Sequence, residues 1–404
     1  MLFILKILKI AYSEYYMSTI EGEVFKPEII RKDKISMTDK EINAKYKKGE
    51  IRIVTEQARY PIKSIQTMLE SGDYKLDPEY QRRKRWDNVR KSRLIESFIM
   101  NVPLPPIFLY EYDYSKYEVM DGLQRLTSIF DYYTGQFKLE GLEYWRELEG
   151  KKYAELPEEI KKGIDRRYIS SIVLLEETAK SEEEAKVLKQ IVFERLNSGG
   201  EKLTPQETRN ALYNGKFNKL CIELSKNDKF REMWNIPLEN EGEKALLESD
   251  IYREMKDVEL VLRFFAYRQL NSLSGSIKKF LDSYLKQANE FSEETLIELT
   301  DLFKDTIDVI YEIFGQKAFI QPPYKGAQQK PQKKIYDPLM QSVASKLDNK
   351  NQLLEKSEQI KKNKYNLIMN LDDNQRIFRG RNSTRIFVKK RIQYFDHLFE
   401  KYIT

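Results

Sequence analysis

A chain of 404 residues, 41% hydrophobic and 33% charged, is long for one domain and rich enough in apolar residues for a sizeable core, so two domains are expected. One cysteine, Cys221, and one histidine, His397, exclude an internal disulfide, a Cys-ligated zinc site and a metal cluster of two imidazoles, and a reducing cytoplasm fits. The net charge of +6 is uneven: Gln316–Thr404 holds 19 Lys+Arg against 8 Asp+Glu, or +11, which leaves 51 against 56, or −5, for the rest. That basic end invites a polyanion such as DNA; the alternative is a solvated helical surface.

The opening "MLFILKILKI" is interrupted by Lys6 and Lys9 and is too short to span a bilayer, so no membrane partner is expected. "AYSEYYM" is a poor cleavage site, and the segment reads as an upstream extension or a small amphipathic piece, with Met17 as an alternative start. Residues 1–54 are read as a partly disordered arm. "YPIKSIQTMLESG" (60–72) reads as a short helix with Ile62, Ile65 and Leu69 inward and Gly72 at its end. "LDPEYQRRKRWDN" follows as an extended basic loop, then "VRKSRLIESFIMN" as a helix ended before Pro103. "PPIFLYEYD" and "KYEVMD" read as two strands joined at "DYS".

In "YEVMDGLQRLTSIFDYYTG" (117–135) a strand turns into a helix. Leu123, Leu126, Phe130 and Tyr133 recur at helical spacing, and Gly135 stops the run. Asp121 is the natural N-cap, and Gly122 permits a tight turn. At about 100° per residue, Arg125 falls roughly opposite the apolar stripe. A guanidinium in the first helical turn opposes the helix dipole unless an anion sits nearby. These features mark the stretch as a candidate site.

Downstream, "ISSIVLLEE" (169–177) reads as a strand, and Ser181 with Glu184 forms a capping box for a helix to about Leu196, ended by "NSGG". Thr204, Pro205 and Glu207 restart the chain as a helix. Beyond about residue 216 long helical patterns take over, such as "TLIELTDLFKDTIDVIYEIFG" (295–315); "QPPYKGAQQKPQKK" (321–334) is a loop, and "RNSTRIFVKKRIQYFDHLF" a basic helix.

Three separated segments, in order, resemble one family. "YQRRKRWD" (80–87) with "KSRLIESFIMNVPLPPIFLY" (91–110), "VMDGLQRLTSI" (119–129) and "FERLNSGGEKLTPQETRNAL" (193–212) are similar to the motifs of the domain of unknown function 262 family. That family is related to the ParB/sulfiredoxin fold and supplies the N-terminal half of GmrSD-type modification-dependent restriction enzymes; "REMKDVELVLRFFAYR" (253–268) looks like its downstream helix. The resemblance covers roughly residues 55 to 215. The hallmark Asp-Gly-Gln-Gln-Arg has Leu123 in place of its first Gln, and the helical stripe turns position 123 inward, where leucine is harmless.

The resemblance implies an α/β (α+β) ParB/sulfiredoxin-like domain over 55–215, followed by a mostly α-helical, basic domain over 216–404. It also implies nucleoside triphosphate binding, and hydrolysis, at the hallmark. Backbone N–H groups of Gly122 and Leu123 can meet a phosphate. Arg125 and Arg82 can pair with phosphate oxygens, Gln124 or Gln81 can orient a water, and Asp121 can hold Mg²⁺. The alternative makes Asp121 a simple cap and Arg125 half of an ion pair. Arg195 and Asn197 join the nucleotide-binding candidates, against a plain helix-end turn. Arg83, Lys84 and Arg85, between Tyr80 and Trp86, suit DNA phosphates with base stacking, and Arg385, Lys389 and Lys390 are the DNA-binding candidates of the terminal helix. Family members pair this domain with an HNH-type nuclease that uses histidine as base. His397 lacks the companions for such a centre, so a nuclease is expected as a separate subunit, and a homodimer is a further expectation. Two rival functions stand beside the NTPase: a non-catalytic DNA-binding or modification-sensing module, and a metal-dependent ParB-like nuclease.

Overall fold

The computed structural model describes residues 20–27, 37–48, 53–76, 86–175, 181–196, 203–273, 275–322, 329–369, 375–378 and 384–403. The chain divides into two compact units, Lys32–Leu203 and Met1–Arg31 with Thr204–Thr404. The division between Leu203 and Thr204 falls inside the third motif and puts "FERLNSGG" and "TPQETRNAL" in different units.

The first unit is built on a sheet. Its elements are α1 (Asp39–Lys48), β1 (Thr55–Pro61), α2 (Ile65–Glu70), β2 (Tyr74–Lys75), α3 (Asn88–Met100), β3 (Ile107–Asp113), β4 (Lys116–Asp121), α4 (Leu123–Tyr133), α5 (Glu158–Asp165), β5 (Tyr168–Leu175) and α6 (Glu182–Leu196). The sheet order is β1-β5-β3-β4-β2. Pairs β1–β5 and β3–β4 are antiparallel, whereas β5–β3 and β4–β2 are parallel. The β3–β4 hairpin turns through Tyr114 and Ser115, the latter at φ 56.

Alternation along the strands gives one apolar face. Ile107, Leu109, Val119, Ile169 and Val173 form one buried cluster with Leu94, Ile95 and Phe98 of α3, Leu123, Leu126 and Ile129 of α4, and Ile164 of α5. Each such side chain contributes about 1.5–3 kcal/mol when fully buried. Leu123 is in this cluster, as its place in the stripe implied. The opposite face meets α6 through Lys189, whose Nζ lies 2.6 Å from Glu118 and 5.3 Å from the Tyr110 ring centroid.

Local rules start and stop α3. Asp87 accepts the Arg90 N–H at 2.8 Å as N-cap, and Asn101 ends the helix in the left-handed region at φ 60. Glu96, buried on α3, accepts the backbone N–H groups of Tyr144 and Trp145 at 2.7 and 2.8 Å and of Glu143 at 3.2 Å. Burial pushes its carboxyl up, but the three donors outweigh that and hold it below the usual range.

The second unit is helical: α7 (Pro205–Leu212), α8 (Lys216–Leu224), α9 (Asp228–Met233), α10 (Glu243–Glu248), α11 (Asp250–Arg253), α12 (Lys256–Arg268), α13 (Ile277–Ala288), α14 (Glu293–Phe314), α15 (Lys333–Ala344), α16 (Lys350–Glu355), α17 (Ser357–Met369), α18 (Gln375–Phe378) and α19 (Arg385–Glu400). Helix α12 is apolar on most sides and runs through the core, with Phe264 and Phe265 against Phe303. The Thr204–Glu207 capping box is present, with bonds of 3.2 and 2.7 Å and Pro205 in the first turn.

Part of the segment read as a partly disordered arm is described, and residues 20–27 lie in the helical unit. Glu23 is buried, accepts from Arg268 Nη2 at 2.9 Å and from the Tyr284 hydroxyl at 3.1 Å, and Phe25 packs edge-on against Phe280. A buried ion pair and an aromatic anchor thus fix residues 20–27 in the helical unit. The opening "MLFILKILKI" lies outside the described residues. Among the described residues no helix is long and apolar enough to cross a membrane.

Candidate functional site

Strand β4 ends at Asp121, and α4 begins at Leu123. Gly122 between them, not Asp121, is the N-cap: its φ of 95 lies in the left-handed region, and no side chain caps the helix there. A Cβ at Gly122 would stand 2.5 Å from Ile107 Cγ2 and 3.2 Å from Arg125 Nη2. Glycine is required twice over, by φ and by space. Asp121, the residue before that turn, has an exposed carboxylate.

Arg125 departs from its expected place. It is 9% exposed rather than on the solvent side. Its Nη1 donates to the Pro105 carbonyl, and its Nη2 donates to the Pro106 carbonyl at 3.2 Å and to Asp121 Oδ2 at 2.8 Å. Helical periodicity put it opposite the main stripe, but "VPLPP" before β3 wraps over that side and supplies carbonyls where water was expected. Burial pushes the guanidinium below its ordinary value, and the Asp121 carboxylate pulls it back up. The anion that the helix dipole demanded is Asp121 itself. Arg125 thus ties the proline loop and Asp121 to the start of α4.

Gln124 is half-buried and accepts the Trp86 N–H on Oε1 at 2.9 Å. It pins the first described residue after the basic segment to the β4–α4 turn. The first two family motifs therefore meet in space at this bond. Gln81, Arg82, Arg83, Lys84 and Arg85 lie outside the described residues, as does Asn197. Arg195 is exposed in the last turn of α6.

Among the described residues no three His, Cys, Asp or Glu side chains gather as a metal site. One exposed carboxylate beside helix-opening amides still fits Mg²⁺, which is held mainly by substrate phosphates and waters. Asp121 is the residue that would hold it.

Residues 65–214 match the model of the GmrSD restriction endonuclease N-terminal domain. No curated protein and no solved structure matches the chain. The GmrSD match takes in the β4–α4 turn, Trp86 and Gln124, and ends just after α7.

Within the match, Arg209 was not singled out from the sequence. It is 1% exposed and donates to Asp282 at 2.7 Å, and to Glu259 and Gln206 at 3.1 Å each. Burial would push Glu259 up; Lys333, Arg209 and Arg263 outweigh it and hold the carboxyl at about 2. This is a buried charge network of the helical core. Only the three-dimensional fold reveals it, since both acidic partners, Asp282 and Glu259, come from distant helices.

The terminal basic residues divide. Arg385 donates to the carbonyls of Asn271 at 2.6 Å and Leu273 at 3.2 Å, and so fastens the loop before α13. Lys390 is exposed and Lys389 half-buried. Arg391 is buried and donates to the Ile377 carbonyl at 2.6 Å. His397 is exposed, with Nδ1 3.6 Å from Glu400.

Proposed function

We propose that the sheet unit binds a nucleoside triphosphate with Mg²⁺ at the β4–α4 turn, on a ParB/sulfiredoxin-like frame, as part of a DNA-associated restriction or anti-phage defence system. One observation carries the reading: the segment matching the GmrSD restriction endonuclease N-terminal domain contains an exposed Asp121 beside an αL glycine and a helix start that no side chain caps. The amides of Gly122 and Leu123 meet phosphate, Asp121 faces the metal, and Arg125 holds Asp121 in place. Arg82, Gln81, Arg195 and Asn197 complete the nucleotide site in this reading. DNA, a separate nuclease subunit and a second copy of the chain are the partners it calls for.

Binding without turnover is the second reading, and a specific observation favours it. Gln124 spends its carbonyl oxygen on Trp86, and Arg125 spends both terminal nitrogens on the proline loop and Asp121. The two polar hallmark side chains after Gly122 are thereby taken up in holding structure. A thermal-shift titration with the four NTPs, with and without Mg²⁺, tests the binding; a ligand at a hundred times its Kd adds about 2.7 kcal/mol. Phosphate release measured on the same samples separates the two readings. No shift with any NTP at millimolar concentration would sink both.

A further inference from the structure

Beside the β4–α4 turn, Trp86 and one face of α3 line an open groove of about 600 Å³. Arg90, Arg93, Leu94 and Ser97 recur at i, i+3, i+4 and i+7, so they share that face, and Leu104 closes the far side. Arg90 and Arg93 are exposed along the helix, and Trp86 is held from behind by the Gln124 bond to its N–H. We propose that this groove takes an unpaired DNA strand, with a base against the Trp86 indole and successive phosphates on Arg90 and Arg93. The inference rests on the DNA association in the reading above and names the surface that carries it.

The chemistry favours a strand over a free nucleotide. Aromatic faces accept any base, and guanidinium forks accept phosphate oxygens in pairs, which is the pattern of single-strand grooves. A free nucleotide is ordinarily enclosed on most of its surface; this groove is open along the helix, so a chain can enter and leave it. Glu143 Oε1 lies 2.9 Å from Arg93 Nη2, and both side chains are more than half exposed (55% and 53%). Such a pair is weak and yields readily to a phosphate. Glu143 in this arrangement keeps Arg93 extended and moderates affinity.

Fluorescence anisotropy of the full chain with a labelled single-stranded oligonucleotide, of a length within the span of one such groove, tests this at several salt concentrations. Each phosphate contact in a single strand contributes about 0.7 to the slope of log K against log salt. The double variant Arg90→Ala/Arg93→Ala should flatten that slope by about 1.4. Trp86→Ala should weaken binding tenfold or more with the slope unchanged, and Trp86→Phe should stay near wild type, which separates stacking from folding. Glu143→Gln should bind more tightly than wild type. If wild type binds the strand and the double variant keeps both affinity and slope, the groove assignment is overturned while DNA association stands. Displacement of the strand by equimolar NTP, with thermal protection of wild type lost in Trp86→Ala, would instead make the groove the nucleotide site and overturn the proposal. A wild type that binds no strand overturns it as well, whereas NTP binding is read independently by thermal shift.

Discussion

Replacing Arg125 by Met removes the guanidinium but keeps an apolar stem of similar length in the buried slot. The charge-assisted bonds to Pro105 and Pro106 are each in a class worth about 1.5–3 kcal/mol, but Pro105 is exposed, so water recovers part of that loss. Asp121, with its side chain 53% exposed, adds at most about 1 kcal/mol. The net expectation is a loss of about 2–4 kcal/mol, or roughly 4–16 °C at about 2–4 °C per kcal/mol for a unit of this size. Urea unfolding followed by tryptophan fluorescence in a Trp234→Phe background is the assay. Trp86 and Trp145 then report the sheet unit alone. Nucleotide affinity should fall in step with the loss of order at Asp121, and Arg125→Lys, which cannot fork between two carbonyls, should recover little. A variant with unchanged urea midpoint and no nucleotide binding would refute this reasoning and make Arg125 a direct phosphate ligand.

Gly122→Ala should cost about 2–5 kcal/mol, from a left-handed φ and overpacking against Ile107 Cγ2; Ile107→Ala, which removes that methyl, should cost less in the Gly122→Ala chain than in wild type, and thermal denaturation of single and double variants checks both. Burial pushes the Lys364 ammonium, which donates to the Ala318 carbonyl, down to about 7. Its unfolded value is about 10.4, so between those values the unfolded chain holds more protons and stability rises with pH. Lys364→Met should be more stable than wild type by a few kcal/mol at about pH 6–7, with the gap closing towards about pH 10; a gap independent of pH would remove titration as the cause. Arg385→Ala should lower the melting temperature of the helical unit, because Asn271 and Leu273 lose their donor. Lys390→Ala, at an exposed position, should spare it and flatten the salt slope for duplex DNA by up to about 0.9 units. His397→Ala should alter neither stability, beyond about 0.5 kcal/mol, nor any cleavage by the chain; a large loss of activity would reopen the case for a histidine-based nuclease centre.

The sequence by itself determined several elements and ends, because those depend on neighbours a few residues apart, though not the Gly122 cap of α4 or the strand β1. Apolar strand-like runs marked β3, β4 and β5; Ser181 and Thr204 marked helix starts; and Gly72 and Gly135 have the positive φ that ends a helix. It also placed Leu123 in the core, from periodicity alone. Tertiary structure decided where charged side chains go. The sheet order sets β5 between β1 and β3, a pairing of strands far apart in sequence. Arg125 is buried because the proline loop before β3 folds over it, and Arg385 is engaged because the loop before α13 reaches it. Glu23 joins the helical core only because Arg268 and Tyr284 come to meet it. A long polar side chain takes whichever partner the fold brings within hydrogen-bond reach, and local spacing along the chain carries no record of that partner.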